Sequence, residues 1–444
     1  MKSKQFLLKT LLIFSLFPLI INPVNLNPTE ARSPNIAANS EWVSIWSIFD
    51  NKNEVSIDVD VDSNDDVIMG GYVINSSVDY FVTKYDENGV QLWNDTRDGG
   101  SQDWFRALTV SGTDIYVGID FYNQTRYECF LGKFDVSGNH LWNISWFKTG
   151  ASGCYTRDLA LSQAGDFYFT GEMAYGFSPS YTYQYFIVKL NFAGNEVWNM
   201  TFGVKNETRK TIHGIATFND IIYLVGQERN YTRSENDPLI ICVNATNGYQ
   251  LWNKSWTVQD YNEGRATDVI VDSSGNFYVS GYYGAMFNTE VFLRKYNPSS
   301  DLIWEETYKD ISSKAQGIAL EDNSNIYISG STEEDFSGSS ALLLKYASNG
   351  SLLGEGSWKR DTTSGQNYGH NVEVDSSGNV YMVGVTPGII GTDAFIIKNL
   401  ELLKPRSGGK DNVIPSFNSW IIMAILGCSI LLVMKKNHLK NKQT

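Results

Sequence analysis

Five polar side chains occupy the same place in five copies of a pattern that repeats along the chain. They are Arg106, Arg157, His213, Gln316 and His370. All five can donate hydrogen bonds, so a ring of them could hold an anionic group such as a carboxylate. The aligned positions in two further copies are Ile57 and Thr267. This interruption favours a structural role, in which the side chains cap the strand that carries them.

Aromatic residues concentrate in the variable loops of the same pattern. Aromatic faces beside polar loops are what sugars and protein partners use for stacking and contact. The alternative is that these residues pack against their own loops. The candidates are Trp104, Phe105, Phe121, Tyr122, Tyr127, Tyr155, Tyr175, Phe177, Tyr181, Tyr183, Tyr283 and Tyr368.

Carboxylates alternate along one segment near the N-terminus, at Asp58, Asp60 and Asp62. Their oxygens could ligate calcium, although the segment lacks the glycine and glutamate of an EF-hand loop. Acidic and glycine residues also form tight turns without a metal. Calcium at these three residues is therefore one of two readings, and no other cofactor is expected.

Catalytic motifs are scarce. The chain has 4 histidines, and it contains no Gly-x-Ser-x-Gly elbow and no Cys-x-x-Cys or His-Glu-x-x-His cluster. A pair of carboxylates acting on a glycan stays open, because such pairs are distant in sequence. The motifs favour a binding protein over an enzyme.

The elements that would position these residues come from a repeat of about fifty residues. Each copy reads as four short strands, and one of them always ends at a glycine. A period in this range with four strands per copy indicates a β-propeller. The glycines are Gly71, Gly118, Gly171, Gly226, Gly281, Gly330 and Gly384.

The two ends of the repeat region complete each other. The last copy stops at Lys398 after three strands, and the missing strand stands at the N-terminus, where Trp42 and Trp46 keep the spacing of the other copies. First and last segments would share one blade, which leaves no unpaired edge. We therefore predict an all-β, seven-bladed propeller over residues 41–400. The sixth copy has Gly354 in place of tryptophan, so its outer edge is expected to be looser.

Strand direction alternates within each copy, which sorts the connections onto two faces. The short turns, such as 272–276 with the sequence Asp-Ser-Ser-Gly-Asn, share one face, which we call the turn face. The long variable loops share the other, the loop face. The polar and aromatic candidates are expected on the loop face.

The chain termini predict export and a membrane anchor. Residues 1–31 begin with lysines and continue with an apolar run too short to span a bilayer, which is typical of a secretory signal. Residues 414–434 are apolar and 435–444 are basic, which indicates a membrane segment with a cytoplasmic tail. The linker 401–413 is short. The propeller is thus expected at the cell surface, anchored to the membrane.

Export suggests two covalent modifications. Cys129 and Cys154 are a candidate disulfide on one rim, although a domain of this size does not need one. Ten Asn-x-Ser/Thr sequences are candidates for glycosylation, and four of them follow the repeated tryptophan, where the asparagine should face outward. The alternative is an ordinary polar position on an outer strand. The asparagines are Asn75, Asn94, Asn123, Asn143, Asn199, Asn206, Asn230, Asn244, Asn253 and Asn349.

The repeat resembles a known family. The Asp-Ser-Ser-Gly-Asn turns at 272–276 and 375–379, the Tyr-Val-Ser-Gly ending at Gly281 and the Gly-Val-Gln-Leu-Trp ending at Trp93 resemble the SBBP-type β-propeller repeats of secreted and surface proteins. The resemblance covers 41–400 and implies a fold and a location, not a reaction. The C-terminus is similar to the sorting signals of archaeal surface proteins, with Ser416 where those carry glycine. Processing and a retained anchor both stay open.

These observations predict a membrane-anchored surface propeller that binds an extracellular glycan or protein through its loop face. The net charge of −14 disfavours nucleic acid as a partner. The first alternative is an extracellular polysaccharide hydrolase or lyase. The second is a structural component of the cell envelope.

Overall fold

The chain forms an all-β propeller in the computed structural model described here. The description covers residues 40–403 except 48–51, 98–101, 177–181, 203–209, 231, 258–260, 262, 286–287, 310–311, 335–337, 361–364 and 389. The predicted signal segment, membrane segment and basic tail lie outside this part. The described part contains no helix with the length and apolar character needed to cross a bilayer.

Each repeat contributes four strands, rich in the β-branched and aromatic residues that suit a sheet. The first strands are β2 (Asn53–Val61), β6 (Asp103–Ser111), β10 (Gly153–Leu161), β14 (Lys210–Phe218), β18 (Gly264–Val271), β22 (Ser313–Glu321) and β27 (Tyr368–Val374). The second strands are β3 (Val67–Ile74), β7 (Asp114–Tyr122), β11 (Phe167–Tyr175), β15 (Ile221–Asn230), β19 (Phe277–Ala285), β23 (Asn325–Glu334) and β28 (Val380–Pro387).

The outer half of each repeat follows the same plan. The third strands are β4 (Val78–Tyr85), β8 (Tyr127–Asp135), β12 (Thr182–Leu190), β16 (Glu235–Asn244), β20 (Asn288–Tyr296), β24 (Gly338–Ala347) and β29 (Thr392–Lys398). The fourth strands are β5 (Gln91–Arg97), β9 (His140–Trp146), β13 (Glu196–Phe202), β17 (Gln250–Ser255), β21 (Leu302–Tyr308), β25 (Leu352–Trp358) and β1 (Trp42–Trp46). A two-residue strand, β26 (Gly365–Gln366), pairs in parallel with β24.

The strands of one repeat pair in chain order as an antiparallel sheet. Five of these sheets are separate, and the remaining strands form one eight-stranded sheet. That sheet has two halves, β2 to β5 and β27 to β29 with β1, whose one backbone strand pairing among the described residues is Asn53–Thr392. Strand β1 pairs with β29 from Trp42–Lys398 to Trp46–Ala394. The prediction that the N-terminal strand completes the last sheet is confirmed.

The first strands surround a central channel. Each contacts the next in cyclic order, from β2 through β6, β10, β14, β18, β22 and β27 back to β2. The core lies between neighbouring sheets: one cluster joins Ile68 and Val82 of the first repeat to Phe105 and Val117 of the second. Every sheet therefore buries both faces except at the channel and the outer edge.

The repeated tryptophan of one sheet packs beneath a turn of the next sheet. Its ring lies against a glycine with positive φ, and at Gly138 an added Cβ would come within 3.0 Å of Trp93. The indole N–H of Trp93 also donates to the carbonyl oxygen of Val136 at 2.8 Å. These contacts link neighbouring sheets on the turn face. The pairs are Trp42–Gly89, Trp93–Gly138, Trp142–Gly194, Trp198–Gly248 and Trp304–Gly350.

The outer edge of the sixth repeat is covered, so the expectation that it is looser is wrong. After β29 the chain turns across this edge, and Leu403 exchanges two backbone hydrogen bonds with Glu355, at 3.0 and 2.8 Å. Leu402 takes the space beside Gly354: a Cβ added to Gly354 would lie 2.8 Å from the Cβ of Leu402. The last repeat has no turn after its third strand for a tryptophan to support, because its fourth strand comes from the N-terminus. Glycine leaves room for the departing chain instead.

We expect Gly354→Trp to destabilise the protein although it restores the repeat pattern. The indole would have to displace Leu402, and overpacking of this kind costs about 1–3 kcal/mol. Chemical denaturation of the full-length chain measures the change. The control is Leu353→Trp on the same strand, where the side chain is 43% exposed. Unchanged stability in the Gly354 variant, equal to that of the control, would contradict the proposed packing of Leu402.

Candidate functional site

The first strand of every sheet carries a β-bulge at the same level. Its pairing with the second strand shifts register there, for example between Thr156 and Asp158. A bulge leaves a residue unpaired and re-aims its side chain, here into the channel. The bulged residues are Ile57, Arg106, Arg157, His213, Thr267, Gln316 with Gly317, and His370.

The repeated glycine of the sequence pattern makes room for this bulge. A Cβ at Gly171 would lie 2.0 Å from the carbonyl oxygen of Tyr155, and a Cβ at Gly226 would lie 1.8 Å from that of Thr211. Real Cβ atoms do not approach oxygen so closely, so a larger residue would push the first strand away. The same close approach to a first-strand carbonyl occurs at Gly71, Gly281, Gly330 and Gly384.

All the bulged residues line one cavity of about 240 Å³ in the channel, which we call the mouth cavity. The structure thus brings together Arg106, Arg157, His213, Gln316 and His370, as the alignment predicted; their role in binding stays a prediction. Sequence reasoning missed Arg265, which lines the same cavity. It stands two residues before Thr267, and the alternation of a strand puts residues i and i+2 on one face.

Each of the three arginines pairs with an acidic residue and remains partly exposed. Arg106 Nε lies 2.7 Å from Asp120 Oδ2. Arg157 Nη2 lies 3.4 Å from Glu172 Oε2, and Arg265 Nη2 lies 3.5 Å from Glu263 Oε1. The latter two pairs are long for a charge-assisted hydrogen bond.

The first of these acids also joins two sheets. Asp120 Oδ1 accepts a hydrogen bond from the backbone N–H of Thr156 on β10 at 2.6 Å. Burial raises its pKa, against the opposing effect of the Arg106 charge. Asp120 therefore holds Arg106 in place and fixes β7 to the next sheet.

His213 lies between Arg157 and Arg265 around the channel. Its Nε2 is inaccessible to solvent and has no hydrogen-bond partner in the described part of the chain. Burial lowers its pKa well below the ordinary value, and the charges of Arg265 and Arg157 lower it further. The imidazole is therefore neutral and stands in a positive field.

His370 has a structural contact that His213 lacks. Its Nδ1 lies 2.6 Å from the carbonyl oxygen of Ser56, and because a carbonyl oxygen only accepts, Nδ1 carries the proton and donates. Burial lowers its pKa. Because the bond connects the last repeat to the first, His370 fits the capping reading better than the ligand reading.

A layer of polar side chains lies one residue deeper in the channel, formed by Asp58, Asp158, Asp268 and Asn371. Each aspartate accepts a hydrogen bond from a backbone N–H of the next first strand. The donor is Leu108 for Asp58 at 2.7 Å, Ile215 for Asp158 at 2.9 Å and Ile318 for Asp268 at 3.0 Å. Asn371 donates to Asp58 and so closes the layer across the seam. We call these four residues the carboxylate layer. The residues between them in the ring are small: Ala107, Gly214 and Gly317.

The carboxyl groups in the channel are hard to ionise. Burial raises the pKa of Asp58 to about 6 and that of Asp268 to about 7. Burial and the charge of Asp58 raise the pKa of Asp60 to about 7. Burial and neighbouring carboxylates raise the pKa of Asp158 and Glu373 well above the ordinary values.

The calcium reading of Asp58, Asp60 and Asp62 does not fit the structure. Asp58 and Asp60 each bind two backbone N–H groups or more, and Asp60 Oδ2 accepts from Val110 at 2.6 Å. Asp62 points to the turn and forms a buried ion pair with Lys84 at 2.7 Å. Among the described residues, no three His, Cys, Asp or Glu side chains converge on a point that could hold a metal. These carboxylates fix the backbone instead.

Three tyrosines form a group on the loop face. The ring centroids of Tyr122 and Tyr127 are 5.1 Å apart, and those of Tyr127 and Tyr155 are 5.4 Å apart. The Tyr127 hydroxyl donates to Gln102 Oε1 at 2.6 Å. We call Tyr122, Tyr127 and Tyr155 the tyrosine cluster. All three are half-buried, so each keeps some surface for a ligand.

Trp104 stands beside Arg106. Its ring is 4.9 Å from Tyr72 in an edge contact, and the Arg106 guanidinium lies 5.8 Å from its centroid. The remaining half-buried candidates are Phe121 of β7, Tyr175 of β11, Tyr183 of β12 and Tyr368 of β27. Tyr175 packs against the core, which fits the alternative that some loop aromatics are structural.

Two aromatic candidates are core residues, which corrects the prediction. Tyr283 is 3% exposed, stacks on Phe292 and donates to Glu305 Oε1 at 2.7 Å. Phe105 is fully buried. Both lie on strands where the alternation turns them inward, between sheets. Tyr181 and Phe177 lie outside the described residues.

The candidate modification sites divide by exposure. Cys129 and Cys154 are buried free thiols in one core cluster, and Cys154 lies in β10 rather than in the preceding loop; the candidate disulfide is not formed here. Asn206 lies outside the described residues. Four of the asparagines are exposed: Asn94, Asn143, Asn253 and Asn349. Five are half-buried: Asn75, Asn123, Asn199, Asn230 and Asn244.

The half-buried asparagines use their amides within the protein. Asn123 Nδ2 donates to Glu128 Oε1 at 2.7 Å, and Asn199 Oδ1 accepts from Lys148 at 2.6 Å. Among the four that follow a tryptophan, Asn94, Asn143 and Asn253 are exposed, whereas Asn199 is half-buried and binds Lys148. Glycosylation itself stays a prediction.

Comparison with known proteins supports the fold. No protein-family model matches the sequence, and no curated protein is significantly similar to it. An ulvan lyase of the PL25 polysaccharide lyase family aligns over 81% of this chain and 97% of its own, with 10% identity and a TM-score of 0.52. A protein of unknown function from Dyadobacter fermentans aligns over 81% and 98%, with 7% identity and a TM-score of 0.49.

A third solved structure is the quinohemoprotein alcohol dehydrogenase from Comamonas testosteroni. It aligns over 81% of this chain and 76% of its own, with 11% identity and a TM-score of 0.45. At these identities the likeness to the ulvan lyase concerns the fold alone. The expected SBBP resemblance has no matching family model, and what the comparisons support is a β-propeller.

Proposed function

We propose that this protein is a seven-bladed β-propeller, anchored to the membrane at the cell surface, that binds an extracellular glycan or protein through its loop face. The blade count rests on the cycle of seven first strands. It treats the two halves of the eight-stranded sheet, which pair at Asn53–Thr392, as two blades. The surface location rests on the sequence of the two termini.

The observation that carries the proposal is the arrangement around the mouth cavity. Arg106, Arg157, His213 and Arg265 line it. Trp104 and Tyr155 stand two residues before Arg106 and Arg157 on their strands, at the loop face. A cavity lined by polar groups with aromatic side chains nearby in the same strands is typical of binding sites for small ligands.

The acidic groups favour binding over hydrolysis. Asp120 and Glu172, beside the mouth, are held by arginines, and the aspartates of the carboxylate layer are held by backbone N–H groups. A glycosidase needs two carboxyl groups free to act on the bond between them. The ulvan lyase of the same fold acts on a polysaccharide, so oligosaccharides are a sensible first class of ligand to test.

We expect Tyr155→Ala to weaken oligosaccharide binding about three- to tenfold, because loss of one stacking ring removes about 0.5–1.5 kcal/mol. The measurement is binding of the full-length chain to an array of defined neutral and acidic oligosaccharides. Phe192→Ala and Tyr249→Ala are matched controls, since these rings are 66% and 64% exposed on the turn face. Their substitution should change nothing.

The outcomes separate the candidate functions. Binding lost in the turn-face variants and kept in Tyr155→Ala would overturn the assignment to the loop face. Cleavage of an oligosaccharide on the array would favour the hydrolase or lyase. Ordered self-association without any bound ligand would favour the structural envelope component.

A further inference from the structure

Four consecutive first strands form a positive arc on one side of the mouth cavity. Strands β6, β10, β14 and β18 supply Arg106, Arg157, His213 and Arg265. The other side carries Gln316, His370 and Ile57, of which His370 is bound to Ser56. The three arginines are thus gathered with His213 on one side of the cavity rather than spread evenly around it.

Two nitrogen atoms of this arc are buried without a partner. Arg157 Nε and His213 Nε2 are inaccessible to solvent and have no hydrogen bond in the described part of the chain. The long contact from Arg157 to Glu172 leaves Glu172 Oε1 without a partner there as well. A buried polar group without a hydrogen bond costs about 1–3 kcal/mol. Arg157 Nε is a donor, and His213 Nε2 is also a donor in the Nε2–H tautomer, so one acceptor in the cavity would complete both.

The field at these atoms favours an anion. Arg157 and Arg265 flank the neutral His213, and their charges lower its pKa. The carboxylate layer beneath would oppose an anion if fully ionised. Its pKa values are raised, to about 6 at Asp58 and about 7 at Asp268, and backbone N–H groups already bind its oxygens. The guanidinium and imidazole groups of the arc stand between this layer and the loop face.

We propose that the arc of Arg106, Arg157, His213 and Arg265 binds the carboxylate of an acidic sugar whose ring stacks on Trp104 or Tyr155. This inference rests on the proposed function and names its ligand class. Guanidinium groups bind carboxylates with two parallel hydrogen bonds, and aromatic side chains two residues away supply the flat surface that a pyranose ring contacts. The cavity of about 240 Å³ is smaller than a drug-sized site of roughly 300–1,000 Å³, so it takes one sugar residue.

The test compares digalacturonate with its carboxyl-reduced, neutral counterpart, by calorimetry on the full-length chain. Digalacturonate should bind at least tenfold more tightly, which corresponds to about 1.4 kcal/mol. Arg157→Gln should weaken binding of digalacturonate at least tenfold and leave the neutral sugar unchanged. Arg97→Gln is the control, since Arg97 lies on the outer strand β5 and pairs with Asp95; it should change binding less than twofold. If the Arg157→Gln variant does not fold, Arg265→Gln is used in its place.

Three results would overturn the inference. Equal binding of the acidic and neutral sugars would remove the role of the carboxylate, while the proposed function would stand. Digalacturonate binding that survives both arginine substitutions would place the site elsewhere. If no oligosaccharide on the array binds, acidic or neutral, the inference fails together with the glycan form of the proposed function.

Discussion

Replacing Trp46 with alanine is expected to lower the free energy of unfolding by about 3–5 kcal/mol, the usual cost of removing a buried tryptophan. Trp46 is 6% exposed and stacks on Phe81 at 3.8 Å. It belongs to β1, the strand that completes the last sheet, whereas Phe81 belongs to the first repeat. One side chain therefore helps to hold β1 in place and to join the first and last repeats. Denaturation of the full-length chain measures the loss.

Trp146→Ala is the matched control for this prediction. Trp146 has the same place in the repeat, is 8% exposed and packs on Phe186 at 4.5 Å. Its strand, β9, is joined to β8 by a turn, whereas β1 is joined to β29 only by hydrogen bonds and packing. Both variants should lose similar stability.

Hydrogen exchange distinguishes the seam from an ordinary sheet. The amides of β29, such as that of Ile396, should lose more protection in Trp46→Ala than those of β8, such as Leu131, lose in Trp146→Ala. Local opening is easier where no turn restrains the strand. Equal loss of protection in the two variants would contradict a special role for the seam.

The free energy of unfolding is expected to increase by several kcal/mol as the pH falls from 8 to about 6. Asp60 and Asp268 have a folded pKa of about 7, and those of Asp158 and Glu373 are raised well above their ordinary values. A raised folded pKa means that the folded state binds more protons than the unfolded chain in this range. The stability that these groups contribute is therefore present at low pH and lost as the pH rises through the folded pKa. One pKa unit corresponds to about 1.4 kcal/mol per group.

The increase should become less steep below about pH 6.5, because two histidines act in the opposite direction. The pKa values of His213 and His370 are lowered by burial. The unfolded chain takes up protons on both below about pH 6.5, while the folded protein does not, so their burial costs stability there. Equilibrium denaturation from pH 5 to 8 measures the profile.

Glu373→Gln isolates the carboxyl contribution. Glu373 Oε1 accepts the backbone N–H of Val374 at 3.1 Å, and a glutamine oxygen can accept the same bond. The variant should be more stable than the wild type at pH 8 and should show a smaller increase toward pH 6. Glu306→Gln, on the exposed surface of β21, is the control and should leave the profile unchanged. A Glu373 variant that is no more stable at pH 8 would show that burial and the neighbouring carboxylates do not disfavour the ionised form of Glu373.

Much of the candidate site could be predicted from one alignment of the repeats. The five polar residues of the mouth fell at one position because each copy has the same strand lengths, the same closing glycine and therefore the same bulge. Arg265 was missed because the alignment considered the bulged position alone. The alternating aspartates of the carboxylate layer, Asp58, Asp158 and Asp268, were visible only as residues that follow the bulge in every second copy.

The sequence by itself determined the β-propeller and its closure by the N-terminal strand, because turn glycines, strand alternation and the tryptophan spacing are local signals repeated many times. The tertiary structure decided which side chains remain accessible. Tyr283 is buried, His370 is bound to Ser56, and Leu402 fills the place of the missing tryptophan. Arg157 Nε and His213 Nε2 have no hydrogen-bond partner among the described residues. Each of these outcomes depends on contacts between strands that lie far apart in the chain, and no local pattern specifies the partner that packing brings to a residue.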